Sequence, residues 1–209
     1  MEKYTVLTYI IGDYEVVHEI GFNPATTPHV EYILVTDNKN LKSDTWKVVY
    51  DKDLDKPELH AFDRVFSIRY NLFKYTNNDI VLRIDGSIGV NKPLDNIIQT
   101  FIDGKYDGCL NIHPGCDNII DECFRWITIR NYSPLKAFYQ IKYLKDVFNY
   151  DFNKKGLFEL NISINKRCEL TNTIDSFMKK ILIGANIENF FGDNSQLLLP
   201  EGRSLCKNI

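Results

Sequence analysis

The sequence lacks several features that would place the chain in a specialised class. No window approaches the roughly 18 apolar residues that a membrane-spanning helix needs, and residues 1–4 run into a strand pattern without signal-peptide organisation. There is no excess of positive charge, since 25 Lys and Arg stand against 28 Asp and Glu. This balance excludes a nucleic-acid-binding protein that works through a broad basic surface. The five cysteines include no Cys-x-x-Cys pair, which favours reduced thiols, and we expect a cytoplasmic protein.

The composition is that of an ordinary globular protein. Hydrophobic residues make up 44% of the chain and charged residues 25%, which is close to the average for folded domains. The 209 residues are enough for one largish domain. We therefore predict a single domain over residues 1–209, which could be one domain of a longer protein.

Apolar runs alternate with helical patterns along the chain. Runs that are typical of strands cover residues 4–11, 30–38, 46–50, 80–84, 107–113 and 157–164. Apolar residues at helical spacing predict helices over residues 62–73, 93–101, 117–130, 134–150 and 173–182. This alternation predicts an α/β fold with a mostly parallel central sheet flanked by helices.

The most informative segment is the apolar run that ends at Asp85-Gly86-Ser87. A carboxylate at the end of a buried strand, followed by two small residues, can reach a metal ion, a ribose or a phosphate group. Asp-Gly is also a strong turn signal, so Asp85 could instead serve only to form the turn. The segment alone leaves both interpretations open.

The ordered set of such segments resembles the nucleotide-sugar glycosyltransferases of the GT-A superfamily. Within that superfamily it is similar to the capsid-glycan glycosyltransferase domains of large algal viruses and to related polysaccharide enzymes. The resemblance rests on segments 4–15, 32–38, 43–49, 64–73, 83–88, 113–122, 156–164 and 192–196. It implies a single Rossmann-like GT-A domain that transfers a hexose or deoxyhexose from a nucleotide sugar, most simply a UDP-sugar, to a hydroxyl of a glycan or glycoprotein acceptor.

The resemblance also implies a set of donor-binding residues. The end of the first strand would border the base, an acidic residue after the second strand would approach the base or ribose, and arginines on the following helix would meet the base or the phosphates. These residues are Thr8, Tyr9, Ile10, Asp37, Arg64, Arg69, Asp85, Gly86 and Ser87. For Thr8, Tyr9 and Asp37, strand termination and local turn bonding are the alternative.

A divalent metal ion, Mn or Mg, is the cofactor that the family pattern implies. The family holds it with an Asp-x-Asp motif, which here reads Asp85-Gly86-Ser87 and has lost its second carboxylate. The resemblance therefore implies a weakly held ion bound by Asp85 and Ser87, with His113 as an added ligand or phosphate contact. If the ion is absent, Arg64 or Arg69 would supply the positive charge.

Candidates for the reaction centre are mainly acidic residues in the second half of the chain. We expect Asp121, Glu122 and Asp193 to act in catalysis, and Glu159, Asn161 and Gln196 to contribute to the acceptor side. The weak metal motif favours a retaining transferase, in which the departing phosphate accepts the acceptor's proton. Asp121 and Glu122 would otherwise lie on a solvated or salt-bridged helix face.

Two other functions remain open from the sequence. The first is a non-catalytic module that binds a nucleotide sugar or a glycan, which would agree with the loss of a metal carboxylate at Ser87. The second is a sugar nucleotidyltransferase on a similar sheet. Against it, the loop after the first strand reads Ile11-Gly12-Asp13-Tyr14-Glu15, which is acidic and not a basic, glycine-rich phosphate loop.

Overall fold

A computed structural model describes most of the chain. The described residues are 2–12, 15–56, 61–112, 115–130, 134, 138, 141–142, 145–146, 149–153, 155 and 157–184. The chain divides into two compact units: the first comprises residues 1–110 and 161–177, and the second comprises residues 111–160 and 178–209. No described helix combines the length and the apolar character that crossing a membrane requires.

Six described strands form one sheet. They are β1 (Tyr4–Ile10), β2 (Val30–Thr36), β3 (Lys47–Tyr50), β4 (Ile80–Ile84), β5 (Gly108–Ile112) and β6 (Phe158–Lys166), and their order in the sheet is β3-β2-β1-β4-β6-β5. β1 pairs in parallel with β2 and β4, and β2 pairs in parallel with β3, whereas β4 and β6 are antiparallel. The chain therefore moves outward from β1 through β2 to β3 and then returns to the other side of β1 with β4.

Three of the described helices lie between these strands in sequence, and a fourth follows β6. They are α1 (Ala61–Arg69), α2 (Asp95–Asp103), α3 (Ile119–Arg130) and α4 (Glu169–Gly184), with short 3-10 helices at Pro24–Thr26 and Leu72–Lys74. Helix α2 ends where Gly104 donates its backbone N–H to the carbonyls of Thr100 and Ile102, as the glycine in the sequence predicts.

The alternation of side chains along the central strands separates two apolar cores, one on each sheet face. Even-numbered residues of β1 and β4 pack with Ile98 and Phe101 of α2. Odd-numbered residues of the same strands, such as Leu7 and Val81, pack with Ile68 of α1. Both faces of these strands are thus covered, which explains why their sequences are nearly continuous apolar runs.

The predicted fold class is confirmed: the protein is α/β, with a mostly parallel sheet flanked by helices. The predicted strands and most helices agree with the observed elements to within a few residues. The helix predicted over residues 134–150 lies mostly outside the described residues. A single domain over residues 1–209 stays a prediction.

Candidate functional site

The fold brings the carboxyl ends of β1 and β4 together. These two strands are parallel neighbours, and the direction of strand order reverses between them. In open α/β sheets a crevice forms outside the carboxyl ends of the strands at such a point, and ligands bind there. Tyr9 on β1 and Asp85, directly after β4, both lie at this edge.

Asp85 is the centre of a hydrogen-bonded network at this edge. Its Oδ1 atom accepts hydrogen bonds from the Tyr9 hydroxyl, from Arg69 Nη2 at 2.9 Å and from Arg83 Nη1 at 2.9 Å. Its Oδ2 atom accepts a further bond from Arg69 Nη2 at 3.1 Å. The backbone N–H of Asp85 donates to Asn161 O at 2.8 Å, which fixes the residue against β6. The Asp85 carboxylate therefore pairs with two guanidinium groups.

Arg83 is the most deeply buried charged residue of this network, with an exposed fraction of 1%. It lies two residues before Asp85 on the same sheet face, and its Nε donates to Ser163 Oγ at 3.0 Å. Its Nη2 atom is buried and donates to no acceptor in the described part of the chain. Arg83 therefore has an unused hydrogen-bond donor at this site. An unpaired buried donor costs free energy, which a bound acceptor would recover.

Arg69 and Tyr9 are in direct contact beside Asp85. Arg69 Nε donates to the Tyr9 hydroxyl at 2.9 Å, and its guanidinium lies 5.7 Å from the centre of the Tyr9 ring. Burial is the main cause that raises the pKa of Tyr9, to about 12, although the two arginines oppose the rise. For Arg69, burial lowers the pKa, but the contributions of Tyr9 and Asp85 outweigh it and the net shift is upward. At neutral pH Tyr9 is therefore a hydrogen-bond donor and Arg69 a cation.

Asp37 forms a second, smaller cluster at the end of β2. Both of its carboxylate oxygens accept the backbone N–H of Gly12, at 2.9 and 3.1 Å. Arg64 Nη1 pairs with Asp37 Oδ2, and the Asp37 side chain is only 6% exposed. Gly12 has a positive φ of 64°, a conformation that glycine adopts without strain. Asp37 thus holds the loop after β1 to helix α1.

Gly86 is required by the close approach of two chain segments. A Cβ atom at this position would lie 2.5 Å from the carbonyl oxygen of Tyr9, and it would also collide with the carboxylate of Glu15. Glu15 therefore lies beside Asp85 at the edge of the site. Burial is the main cause that raises the pKa of Glu15, and the negative charge of Asp85 raises it further, while His18 lowers it.

The structure does not bring all predicted donor-binding residues together. Tyr9, Arg69 and Asp85 form one cluster, and Asp37 and Arg64 form another. Thr8 and Ile10 flank Tyr9 in β1, so they lie on the opposite sheet face, where Ile10 packs in the core beside α2. Ser87 is exposed in the turn in which Ile88 N–H donates to Asp85 O. Asp85 therefore forms the turn as well as the network.

A divalent ion is a poor fit for Asp85 and Ser87 as they are arranged. The Asp85 carboxylate already balances two arginines and accepts a phenolic hydroxyl. Within the described ranges, no group of three or more His, Cys, Asp or Glu side chains could hold a metal ion. His113, the third predicted ligand, lies outside the described residues. The metal site stays a prediction that the geometry of these residues does not favour.

The predicted catalytic residues belong to the second unit or lie outside the described chain. Asp121 is exposed on α3, where its backbone N–H and its carboxylate both bond to the Asn118 side chain. Glu122 is 8% exposed and accepts a hydrogen bond from Cys116 Sγ at 3.3 Å. Asp193 and Gln196 lie outside the described residues, as does the side chain of Glu159. Their catalytic roles stay predictions.

Sequence reasoning missed three residues of the first cluster: Arg83, Ser163 and Glu15. The signal for Arg83 was available, because a charged residue inside an apolar run must find a partner when it is buried. Asp85, two positions later on the same face, was the nearest candidate. No comparable signal existed for Ser163 or Glu15, whose neighbours come from distant parts of the chain.

Comparison with known proteins found no matching family model and no matching curated protein. Among solved structures, the chain is similar to CMP:2-keto-3-deoxy-manno-octonic acid synthetase in complex with CTP, with TM-score 0.40, 11% identity, and coverage of 89% of this chain and 87% of that one. It is also similar to the bifunctional IspDF from Campylobacter jejuni (TM-score 0.39, 10% identity, 94% and 46% covered). A third is 2-C-methyl-D-erythritol 4-phosphate cytidylyltransferase from Thermus thermophilus (TM-score 0.34, 10% identity, 84% and 100% covered). These values assign no family to the chain.

Proposed function

We propose that this protein is a nucleotide-dependent transferase whose nucleotide binds at the carboxyl edge of β1, β2 and β4. One observation carries the proposal. Arg69 and Arg83 pair with Asp85 at the point where strand order reverses, and Arg64 pairs with Asp37 at the end of the neighbouring strand β2. Guanidinium groups suit the planar, multidentate recognition of phosphate oxygens and base edges.

Burial of so many charges without a binding role would be an unusual way to stabilise this fold. Pairs of buried charges are often no more stabilising than well-packed apolar residues of similar size. The same groups are valuable where a charged ligand is bound, because interactions between charges are stronger in a site that is partly shielded from water. The position of the two arginine–aspartate clusters and their charge both support the binding of a charged ligand.

Glycosyl transfer from a nucleotide sugar is the first candidate reaction. In it, the bond between the anomeric carbon and the diphosphate breaks, a new bond forms to the acceptor's hydroxyl oxygen, and the hydroxyl proton passes to a base or to the departing phosphate. Arg69 and Arg83 would stabilise the negative charge that develops on the diphosphate. The order of sequence segments that resembles GT-A enzymes supports this candidate.

Nucleotidyl transfer to a sugar is the second candidate. Here an oxygen of the sugar attacks the α-phosphate of a nucleoside triphosphate and pyrophosphate departs. The sequence argues against it, because residues 11–15 after β1 are acidic and include no Lys or Arg. The structure weakens that objection, since Arg69 and Arg83 supply positive charge at the end of β1 from α1 and β4. This placement supports the candidate as well as it supports glycosyl transfer.

A substrate panel separates the two reactions. The protein is incubated with UDP-, GDP-, CMP- and TDP-sugars and, separately, with each nucleoside triphosphate plus a mixture of sugars, sugar phosphates and sugar acids. Release of a nucleoside mono- or diphosphate from a nucleotide sugar supports glycosyl transfer, whereas release of pyrophosphate supports nucleotidyl transfer. Nucleotide binding without either product would indicate a binding module, and the absence of binding to any nucleotide would contradict the proposal.

A further inference from the structure

The charges around Asp85 differ from those that a metal-dependent phosphate site needs. A site that holds a divalent ion presents carboxylates whose negative charge is available to the cation. Here the carboxylate of Asp85 faces Arg69 and Arg83, and these three side chains together carry one net positive charge. Such a group attracts an anion and repels a divalent cation.

We infer that Arg69 and Arg83 replace the metal ion at this site, and that they hold the phosphates of the nucleotide without a divalent cation. This inference rests on the proposed function, because it specifies how the same site binds its nucleotide. In this arrangement Asp85 is a positioning residue, which orients the two guanidinium groups and is not a metal ligand.

Three further observations support an anion site. The buried Nη2 atom of Arg83 and the buried Nε atom of Arg64 donate to no acceptor in the part of the chain that the structure describes. The Asp85 side chain is 24% exposed, so the network is open to solvent on one side. The hydrogen bond from the Tyr9 hydroxyl occupies part of the accepting capacity of the Asp85 carboxylate, so less of that capacity is left for a cation.

Among the described residues, Glu15 carries a charge that would oppose anion binding at this site. Its carboxylate lies beside Gly86 and Asp85, where a second negative charge would favour a cation. Burial and the charge of Asp85 both raise the pKa of Glu15, however, so that its carboxyl group holds a proton more readily than an exposed glutamate. His18 opposes this rise.

The test is a calorimetric titration of UDP, CDP and inorganic pyrophosphate into the full chain, in EDTA and in Mn²⁺. We expect binding in EDTA that Mn²⁺ does not strengthen by more than about twofold. Arg69→Met should weaken binding by roughly tenfold to a hundredfold, because it removes charged hydrogen bonds. Arg69→Lys, which keeps the charge but not the fork of donors, should restore part of the affinity.

The matched control is Arg167→Met. Arg167 lies at the other end of β4, where it pairs with Asp79 and packs over the Phe73 ring at 4.5 Å. This variant should bind each ligand as the wild type does. Circular dichroism of every variant confirms folding, and the comparison of wild type in EDTA and in Mn²⁺ decides the question even if an arginine variant does not fold.

The outcomes separate this inference from the proposed function. Binding that requires Mn²⁺ would overturn the metal-free site but leave a nucleotide-dependent transferase intact. Binding in EDTA that Arg69→Met does not weaken would also overturn the inference, because the phosphates would then be held elsewhere. No binding of any nucleotide under either condition would contradict the proposed function itself.

Discussion

The substitution Asp85→Asn should destabilise the protein strongly, because an amide keeps the shape of the side chain but removes the charge that balances Arg69 and Arg83. These side chains are 8% and 1% exposed, so their charges cannot be solvated well after the change. Removing one partner from a buried ion pair costs about 3 to 5 kcal/mol, and the partial exposure of Asp85 places the expected loss near the lower end, about 3 kcal/mol. For a chain of this size, that corresponds to a fall in Tm of roughly 6 to 12 °C.

Chemical and thermal denaturation followed by circular dichroism measure this loss. Asp79→Asn is the control, since Asp79 lies just before the same strand and pairs with Arg167, but its side chain is 66% exposed. Such an exposed pair contributes about 1 kcal/mol or less. In addition, the double variant Arg69→Met, Asp85→Asn should lose less stability than the sum of the two single variants, with a coupling of about 1 to 3 kcal/mol. Equal Tm values for Asp85→Asn and Asp79→Asn would show that Asp85 does not balance the buried arginine charges.

Three further substitutions test other parts of the site. Gly86→Ala should lower the free energy of unfolding, measured in urea, by about 1 to 3 kcal/mol, because the new Cβ meets the Tyr9 carbonyl oxygen. The control Gly89→Ala, whose new Cβ would lie 3.9 Å from its nearest atom, should change it by about 0.5 kcal/mol or less. Equal losses would show that Gly86 is not required by close packing. Glu15→Gln should stabilise the protein at pH 7 and lose this advantage as the pH falls towards 4. The folded-state pKa of Glu15 is raised, so the stability of the wild type decreases as the pH rises through that pKa. A stability difference that does not change with pH would contradict this prediction. Asp37→Ala should lower stability by about 3 kcal/mol, because it removes the carboxylate that pairs with Arg64 and accepts the Gly12 N–H. Asp44→Ala, at an exposed position, should not lower stability. An unchanged Tm for Asp37→Ala would show that the pairing contributes little.

The sequence predicts the fold well because its strands are covered on both faces. The uninterrupted apolar runs of β1, β2 and β4 could be identified without their neighbours, and Gly104 marks the end of α2. What the sequence could not supply is the pairing between elements. Thr8 and Tyr9 are adjacent in sequence, yet the strand alternation places them on opposite faces, so only Tyr9 reaches Asp85.

Some members of the two clusters are candidates from the sequence, but their pairing and charge balance are not. Asp85, Arg69, Asp37 and Arg64 were all expected to bind the nucleotide donor, and the structure shows that each aspartate is paired with an arginine. The consequence for metal binding follows from Arg83, whose importance depends on its burial and on its position beside Asp85. The Asp85-Gly86-Ser87 motif contains the carboxylate and the turn, but it does not include Arg83, the cation two residues before Asp85.

Binding of a nucleotide at the carboxyl edge of β1, β2 and β4 can be tested by titrating UDP and CTP into ¹⁵N-labelled protein, followed by two-dimensional NMR. We expect the largest shift changes in the backbone amides of Gly12, Asp37 and Gly86 and in the side chain of Arg69. The amides of Asp79 and Arg167, at the opposite end of β4, should remain unchanged. Shift changes confined to that opposite end, or none at millimolar nucleotide, would contradict binding at this edge.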